Sequence, residues 1–256
     1  MIVAVTSNVY AQERGAPPAP PTAKAAAPFD MTGYWVSIVS EDWRSRMFPN
    51  KRDFAGVPLN PEGRRVADTW DPAKDQADGN QCRSYGAAAI MRVPGRLHIY
   101  WPDENTLRID TDAGTQTRML HFTAAAPPEK VLETVPEHVA ASWQGYSVAQ
   151  WEGQGPRNFF GGLGGRDQGV TKQGYLKVVT TRMRSGYLRK NGVPYSANAL
   201  LEEYFDTFTD TDGDQWLVVT TIVTDPQYLF QPFLTSTHFK KIPDASRWNP
   251  SPCEAK

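Results

Sequence analysis

The sequence predicts an all-β protein, folded as a single antiparallel β-barrel of the lipocalin or calycin kind with one short helix and long loops. At least eight strand-like runs succeed one another along the chain, and turn-forming residues separate several of them. Only one run has the capping and spacing of a helix. This pattern is typical of a barrel or, alternatively, a β-sandwich, and closing the sheet removes the edges on which strands aggregate.

The first 30 residues predict a leader that lies outside the domain. The segment "MIVAVTSNVYAQ" has a short apolar run followed by Val9, Tyr10 and Ala11, the spacing of small residues that signal peptidase accepts. We interpret it as the remnant of a signal peptide. The alternative is a disordered N-terminus that has no targeting role. The Pro/Ala-rich stretch behind it cannot bury a core and is expected to be flexible or polyproline-like. Residues 31–256 then form the single barrel domain.

The composition narrows the class of protein. Of the 256 residues 40% are hydrophobic, and the formal net charge is −1, so we expect a sizeable core and no nucleic-acid partner. No run approaches the roughly 18 consecutive apolar residues of a membrane-spanning helix. The "GGLGG" run (161–165) lacks the residues that complete a phosphate-binding loop, so no nucleotide cofactor is expected. The sequence carries no signal for the oligomeric state.

Two cysteines, Cys82 and Cys253, lie far apart in the sequence. In an oxidising compartment they are expected to form one disulfide that holds the C-terminal tail against the body of the protein. In a reducing cytoplasm they would be two unrelated thiols. Together with the signal-peptide remnant, the bridge predicts a periplasmic or extracellular location.

The elements follow in chain order. "TGYWVSIVS" (32–40) predicts a strand, because it is rich in aromatic and β-branched residues. "NPEGRRVADTWDP" (60–72) begins with a capping residue and a first-turn proline and ends at Asp-Pro, so it is the one predicted helix. The run 199–209 also suits a helix, but the hairpin partners that flank it favour a strand. The predicted strands after the helix are 96–101, 106–111, 115–122, 143–153, 175–185, 199–209, 215–225 and 233–241.

A glycine-rich segment, 154–174, interrupts this series. Its length and composition predict a lid over a binding site, with Phe159 and Phe160 in contact with the substrate. The alternative is a disordered insertion without a role. The turn "RKNGVPYS" (189–196) contains the Asn-Gly pair typical of a hairpin. Its Tyr195 is a candidate substrate contact at a cavity mouth, and the alternative is an ordinary solvated turn.

Three of the four histidines, His98, His121 and His238, lie inside predicted strands. Three neutral imidazoles around an open position would bind a divalent metal ion such as zinc, iron or manganese, if the fold brings them together. Alternatively, one or two of them act as a general acid or base, since imidazole titrates near neutral pH. The third interpretation is that they are ordinary strand residues satisfied by hydrogen bonds.

Other polar residues alternate along the same strands. Tyr100 shares a face with His98, and Arg108 shares a face with Asp110 in the next strand, because side chains two apart point the same way. Tyr100 and Glu203 are candidate catalytic groups, and Arg108 and Asp110 are candidate substrate contacts. The pattern leaves open whether the apolar or the polar strand face points into the barrel.

Four segments of the chain have a recognisable pattern: "SVAQWEG" (147–153), "LKVVTT" (176–181), "VPYSANALLEEYF" (193–205) and "VTDPQYLFQPF" (223–233). With them the chain resembles an uncharacterised family of exported bacterial β-rich proteins. Its members show Trp-Glu-Gly before a Leu-x-Val-x-Thr strand and have cysteines at places similar to Cys82 and Cys253. The resemblance covers roughly residues 80–256 and implies a lipocalin-like barrel, but no activity. Where the family usually has "WEGDTLVV", this chain carries the glycine-rich segment.

Taken together, the sequence predicts an exported β-barrel enzyme that acts on a small, partly apolar molecule, aromatic or terpenoid, inside the barrel. The reaction would be of the lyase or isomerase type, and metal-dependent if the three histidines form a site. The alternative is a non-catalytic periplasmic carrier with the same barrel and structural histidines. Converging histidine rings favour metal binding and scattered rings favour the carrier, because the fold by itself does not give the function.

Overall fold

The computed structural model describes residues 20–40, 46–123, 133–153 and 174–255. Within this part of the chain, nine strands close into a barrel and two short strands form a separate hairpin. In chain order the strands are β1 (Gly33–Ile38), β2 (Arg96–Asp103), β3 (Thr106–Thr111), β4 (Gln116–Phe122), β5 (Tyr146–Glu152), β6 (Tyr175–Thr181), β7 (Gly186–Tyr187), β8 (Pro194–Tyr195), β9 (Leu200–Thr209), β10 (Gln215–Thr224) and β11 (Phe233–Ile242).

The order around the barrel is β1-β11-β10-β9-β6-β5-β4-β3-β2, and each neighbouring pair except one is antiparallel. Strands β4 and β5 run parallel, with Leu120 opposite Ser147 and Phe122 opposite Ala149. The predicted β-barrel is therefore confirmed, but its purely antiparallel character is wrong. A parallel neighbour requires a long connection that returns the chain to the same end of the sheet, and the segment 123–145 is long enough to do so.

The strand boundaries agree closely with the sequence pattern. The predicted meander is β2–β3–β4, and the ambiguous run 199–209 is the strand β9, paired with β10 from Leu200 to Thr209. A carboxylate shapes the turn between β9 and β10, because Asp210 Oδ1 accepts the backbone N–H groups of Asp212 and Asp214 at 2.9 and 3.1 Å. Local turn chemistry and tertiary pairing therefore agree at this hairpin.

The described residues form four short α-helices where one was predicted: α1 (Ala23–Ala26), α2 (Pro61–Asp68), α3 (Pro72–Ala77) and α4 (Ala87–Ile90). The predicted helix 60–72 ends early, at Asp68. The Asp71 carboxylate caps the next helix and Pro72 occupies its first turn, so the Asp-Pro pair begins a helix as well as ending one. None of the described helices is long and apolar enough to cross a membrane.

The apolar faces of the strands fill the barrel. Trp35, Ile99 and Phe205 are at most 1% exposed, and the opposite strand faces, which carry the three histidines, point outward. Of the two arrangements that the alternation left open, the fold therefore adopts the one with apolar side chains inside. Further members of this inner cluster are Leu97, Leu107, Ile109, Leu120, Leu176, Val178, Leu217, Val219 and Phe239.

A second apolar cluster, which we call the cap, closes the end of the barrel at which β9 begins. The turn 189–196 lies inside it, and the expectation of a solvated turn is wrong because Arg189, Lys190 and Tyr195 are only 1%, 7% and 0% exposed. The cap is built from Phe54, Val57, Leu59, Ala67, Ala87, Ala88, Met183, Leu188, Val193, Tyr195 and Ala199, packed on Leu201, Val223, Leu229 and Phe233.

Cys82 and Cys253 form a disulfide, with an S–S distance of 2.05 Å and their Cα atoms 5.1 Å apart, so the predicted pairing is confirmed. The bridge ties the C-terminal tail to the segment before α4. Next to it, the Ser251 N–H donates to the Asp112 carbonyl at 2.9 Å, and Thr115 Oγ1 donates to the Ser251 carbonyl at 2.9 Å. The disulfide and these hydrogen bonds therefore hold the C-terminal tail against the body of the protein.

Candidate ligand-binding site

Aromatic side chains gather at one end of the barrel. This end lies opposite the cap, and we call it the mouth. Three of them lie near the C-terminal ends of their strands: Trp101 in β2, Phe122 in β4 and Trp151 in β5. Their side chains share the inward strand face with the apolar core. The ring centroids of Trp101 and Phe122 are 5.3 Å apart, and those of Phe122 and Trp151 are also 5.3 Å apart. Phe29, from the leader, packs edge-on against Trp151 at 5.5 Å. The mouth is therefore a continuous aromatic surface.

A cleft of about 550 Å³ opens on this surface. Its volume lies within the range of small-molecule sites, roughly 300–1,000 Å³. Two walls come from the barrel and one from the leader. The described residues that line the cleft are Pro20, Pro21, Thr22, Ala23, Ala26, Asn105, Phe122, Thr123, Gln150 and Trp151.

The described lining combines aromatic, apolar and uncharged polar groups. It offers two aromatic rings, apolar proline and alanine surface, and the amides and hydroxyls of Asn105, Gln150 and Thr123. Thr123 Oγ1 is buried and makes no hydrogen bond with any described residue. Among the described lining residues none has an ionisable side chain.

The leader wall is attached to the barrel through α1 and the β2–β3 turn. Trp151 Nε1 donates to the Ala23 carbonyl at 2.8 Å, and the Ala23 N–H donates to Asn105 Oδ1 at 3.0 Å. The Lys24 N–H donates to the Glu104 carbonyl at 3.1 Å. Backbone polar groups of the leader thus bond to the same side chains that border the cleft.

Glu203, a predicted catalytic residue, lies deep in the barrel, away from the mouth. Its two carboxylate oxygens accept from Arg118 Nη1 and Nη2 at 2.9 and 2.5 Å, and both side chains are 0% exposed. Ser147 and Thr180, whose hydroxyls are 2.7 Å apart, complete a polar layer across β4, β5, β6 and β9. A bidentate pair of this kind satisfies the buried carboxylate, so the geometry gives Glu203 a structural task.

Four predicted site residues do come together, but on the outer surface of β2 and β3. The His98 ring stacks on Tyr34 with centroids 4.2 Å apart and on Tyr100 at 4.7 Å. Arg108 lies 5.5 Å from the centre of the Tyr100 ring and donates through Nε to Asp110 at 2.9 Å. The His98 ring thus has a stacked neighbour on each side, which makes the group a cross-strand ladder.

The three histidines are scattered over the outside of the barrel. His98 pairs with Tyr34 of β1, whereas His238 pairs with Ile38, four residues further along the same strand, or about 13 Å away. His121 stacks on Tyr146 at 4.7 Å. Ligands of one zinc ion lie about 2.0–2.1 Å from it, so these histidines do not share a metal ion. No group of three or more His, Cys, Asp or Glu residues in the described ranges could hold a metal ion.

Tyr195, another predicted substrate contact, also lies away from the mouth. Tyr195 is 0% exposed inside the cap, and burial raises the pKa of its phenol. Phe159 and Phe160 lie outside the described residues, and so does the predicted lid up to residue 173.

The mouth was not predicted from the sequence, because the predicted site was centred on the strand histidines. The sequence does show that Ser147, Ala149 and Trp151 share one face of a strand, but only the structure shows that this face points inward, since Ser147 and Ala149 are almost fully buried. No sequence pattern predicted the leader wall, because a Pro/Ala-rich composition does not indicate which part of the protein the segment will contact.

Comparison of the chain with models of protein families, with curated proteins and with solved structures gave no match.

Proposed function

We propose that this protein is a non-catalytic carrier of a small, uncharged and partly apolar molecule, aromatic or terpenoid, which it binds at the mouth of the barrel in the manner of a lipocalin. The observation that supports this proposal is the cleft of about 550 Å³ between Phe122, Trp151 and the leader. Aromatic walls with a few amide and hydroxyl groups are the usual composition of a small-molecule site.

The apolar walls set the scale of the affinity. A ligand that buries about 200 Å² of apolar surface gains on the order of 5 kcal/mol, before the cost of immobilising it. Hydrogen bonds to the amides of Asn105 and Gln150, which line the cleft, would add about 1 kcal/mol each. Because the immobilisation cost must still be subtracted, we expect dissociation constants no tighter than about 10 micromolar, even for a well-fitting ligand.

Lyase or isomerase chemistry, the other candidate from the sequence, needs an ionisable group or a metal beside the substrate. No described residue of the cleft lining has an ionisable side chain, and the histidines considered for this purpose lie on the outer surface. We therefore propose binding rather than turnover.

A periplasmic or extracellular location belongs to the same proposal. The disulfide between Cys82 and Cys253 is of the type that persists in oxidising compartments, and a carrier there would meet apolar molecules that diffuse poorly in water.

Titration with the fluorescent probe N-phenyl-1-naphthylamine, which is uncharged and aromatic, tests the proposal. Because Trp151 supplies an aromatic wall of the cleft, we expect Trp151→Ala to weaken binding about tenfold or more, equivalent to about 1.4 kcal/mol. Phe122→Ala should act in the same direction. Fluorescence on probe addition gives the dissociation constant.

Phe208→Ala is the matched control, because Phe208 is an aromatic residue that is 51% exposed on the outward face of β9. It should bind the probe as the wild type does. Equal losses in all three variants, or no binding by the wild type, would contradict a binding site at the mouth.

A further inference from the structure

The leader is bound at the mouth as a ligand would be. Both backbone polar groups of Ala23 are engaged: its N–H by Asn105 Oδ1 at 3.0 Å and its carbonyl by Trp151 Nε1 at 2.8 Å. Pro20 and Pro21 extend along the cleft in front of the aromatic walls. Aromatic-lined grooves with such donors are a common way of holding proline-rich peptide.

The attachment is shallow. Thr22 Oγ1 and Lys24 Nζ contact the Glu104 carboxylate at 2.9 and 3.4 Å, but the side chains of Lys24 and Glu104 are 49% and 57% exposed. Exposed pairs of this kind contribute little, because solvent screens them. The helix α1 has four residues and none of them is buried, so it is too short to persist without its contacts to the barrel.

The leader also uses the polar groups that a guest molecule needs. Trp151 Nε1 has a single hydrogen atom to donate, and the Ala23 carbonyl accepts it. Asn105 Oδ1 is likewise engaged by the Ala23 N–H. A ligand that hydrogen-bonds to either side chain must compete with the leader, and the weak anchors make such competition reversible.

We propose that residues 20–26 form a displaceable strap, a peptide bound in cis that competes with the carried molecule and limits its entry at the mouth. This inference rests on the proposed function. It adds that the filled carrier has released its strap, and that loosening the strap speeds loading. If the strap were instead a permanent wall, loosening it would remove part of the site and weaken binding.

Two substitutions loosen the strap with little effect on the barrel. Ala23→Pro removes the N–H that Asn105 accepts, at the first position of α1, where proline is tolerated. The preceding Thr22 is already extended, with φ −62° and ψ 160°, as proline requires of its neighbour. Glu104→Ala removes both exposed side-chain contacts to Thr22 and Lys24. Glu62→Ala, which breaks an exposed ion pair with Arg65 on α2, is the matched control.

Stopped-flow mixing with N-phenyl-1-naphthylamine measures the effect on the full-length chain. In Ala23→Pro combined with Glu104→Ala we expect the association rate and the affinity to rise about three- to tenfold, with Glu62→Ala unchanged. A synthetic peptide of residues 20–31, added to the loosened variant, should slow association again. Hydrogen exchange of the wild-type amides at 22–26 should increase when the probe saturates the protein.

The outcomes separate the two proposals. Unchanged or weaker binding in the loosened variant, while Trp151→Ala still loses affinity, overturns the strap and leaves the carrier standing. If hydrogen exchange of the amides at 22–26 slows on probe binding, instead of becoming faster, the strap is likewise overturned. Failure of every variant to bind the probe overturns the binding site itself, and the strap with it.

Discussion

The strand histidines have a packing role at the scale of single residues. His98 lies between the rings of Tyr34 and Tyr100, and His121 lies on Tyr146. An imidazole offers a flat face for stacking and a polar edge for water, which suits the outer surface of a half-buried sheet. Burial lowers the pKa of both imidazoles below their usual value of 6.5.

This lowered pKa predicts a pH dependence of stability. The fold favours neutral His121, so as the pH falls below about 6.5 the unfolded chain takes up a proton that the folded chain resists. The free energy of unfolding therefore falls on acidification through that range and is fully present above it. Replacing His121 by Gln should make the decline shallower, measured as the change in melting temperature between pH 7.5 and pH 5.5. Identical pH profiles for the two proteins would contradict this explanation.

The ion pair inside the barrel predicts an asymmetry between single and double substitutions. Glu203→Gln leaves the guanidinium of Arg118, which is 0% exposed, without its counter-charge, and should cost about 3–5 kcal/mol of unfolding free energy. Arg118→Met combined with Glu203→Leu removes both charges and should cost much less, since a buried pair is often no better than apolar packing. Urea denaturation measures both. Equal losses would contradict a structural pair.

At the scale of elements, the small hairpin of β7 and β8 is expected to contribute strongly to the free energy of unfolding, because it lies inside the cap. Its Asn-Gly turn brings Gly192 to φ +85°, and a Cβ atom there would overlap Trp70. We expect Gly192→Ala to cost about 3 kcal/mol or more, from backbone strain plus overpacking.

Gly213 isolates the two causes. It has the same φ of +85° in the turn between β9 and β10, but a Cβ atom would meet nothing within 4 Å. Gly213→Ala should therefore cost only about 1–2 kcal/mol. Equal losses of unfolding free energy at the two glycines would show that strain alone matters and that the close packing on Trp70 does not.

The elements also show what could be predicted from the sequence. Alternation placed the barrel strands to within a few residues, and it put Ile99 and His98 on opposite faces of β2. It could not choose between the two faces, since that depends on closure. Nor could it reveal the parallel contact of Leu120 with Ser147, the burial of the turn 189–196 or the docking of Ala23, which all depend on partners remote in sequence.

At the scale of the whole molecule, the disulfide joins residues 171 positions apart. Constraining so long a loop restricts the unfolded chain, and removing such a bridge typically costs about 2–5 kcal/mol. We expect Cys82→Ser combined with Cys253→Ser to lower the urea midpoint accordingly. Reductant should destabilise the wild type and leave the double variant unaffected. A wild type indifferent to reductant would contradict this role.

The barrel is closed by its first strand and its last one: Trp35 of β1 lies opposite Lys241 of β11. A chain emerging from the ribosome therefore cannot close the barrel until β11 has been made. Until then Trp35, which is 1% exposed when the barrel is closed, faces water, and contacts between the ends of the chain form slowly because they span so much of it. A translating ribosome thus carries an open sheet with an apolar face until β11 has emerged. That interval is where a chaperone would act.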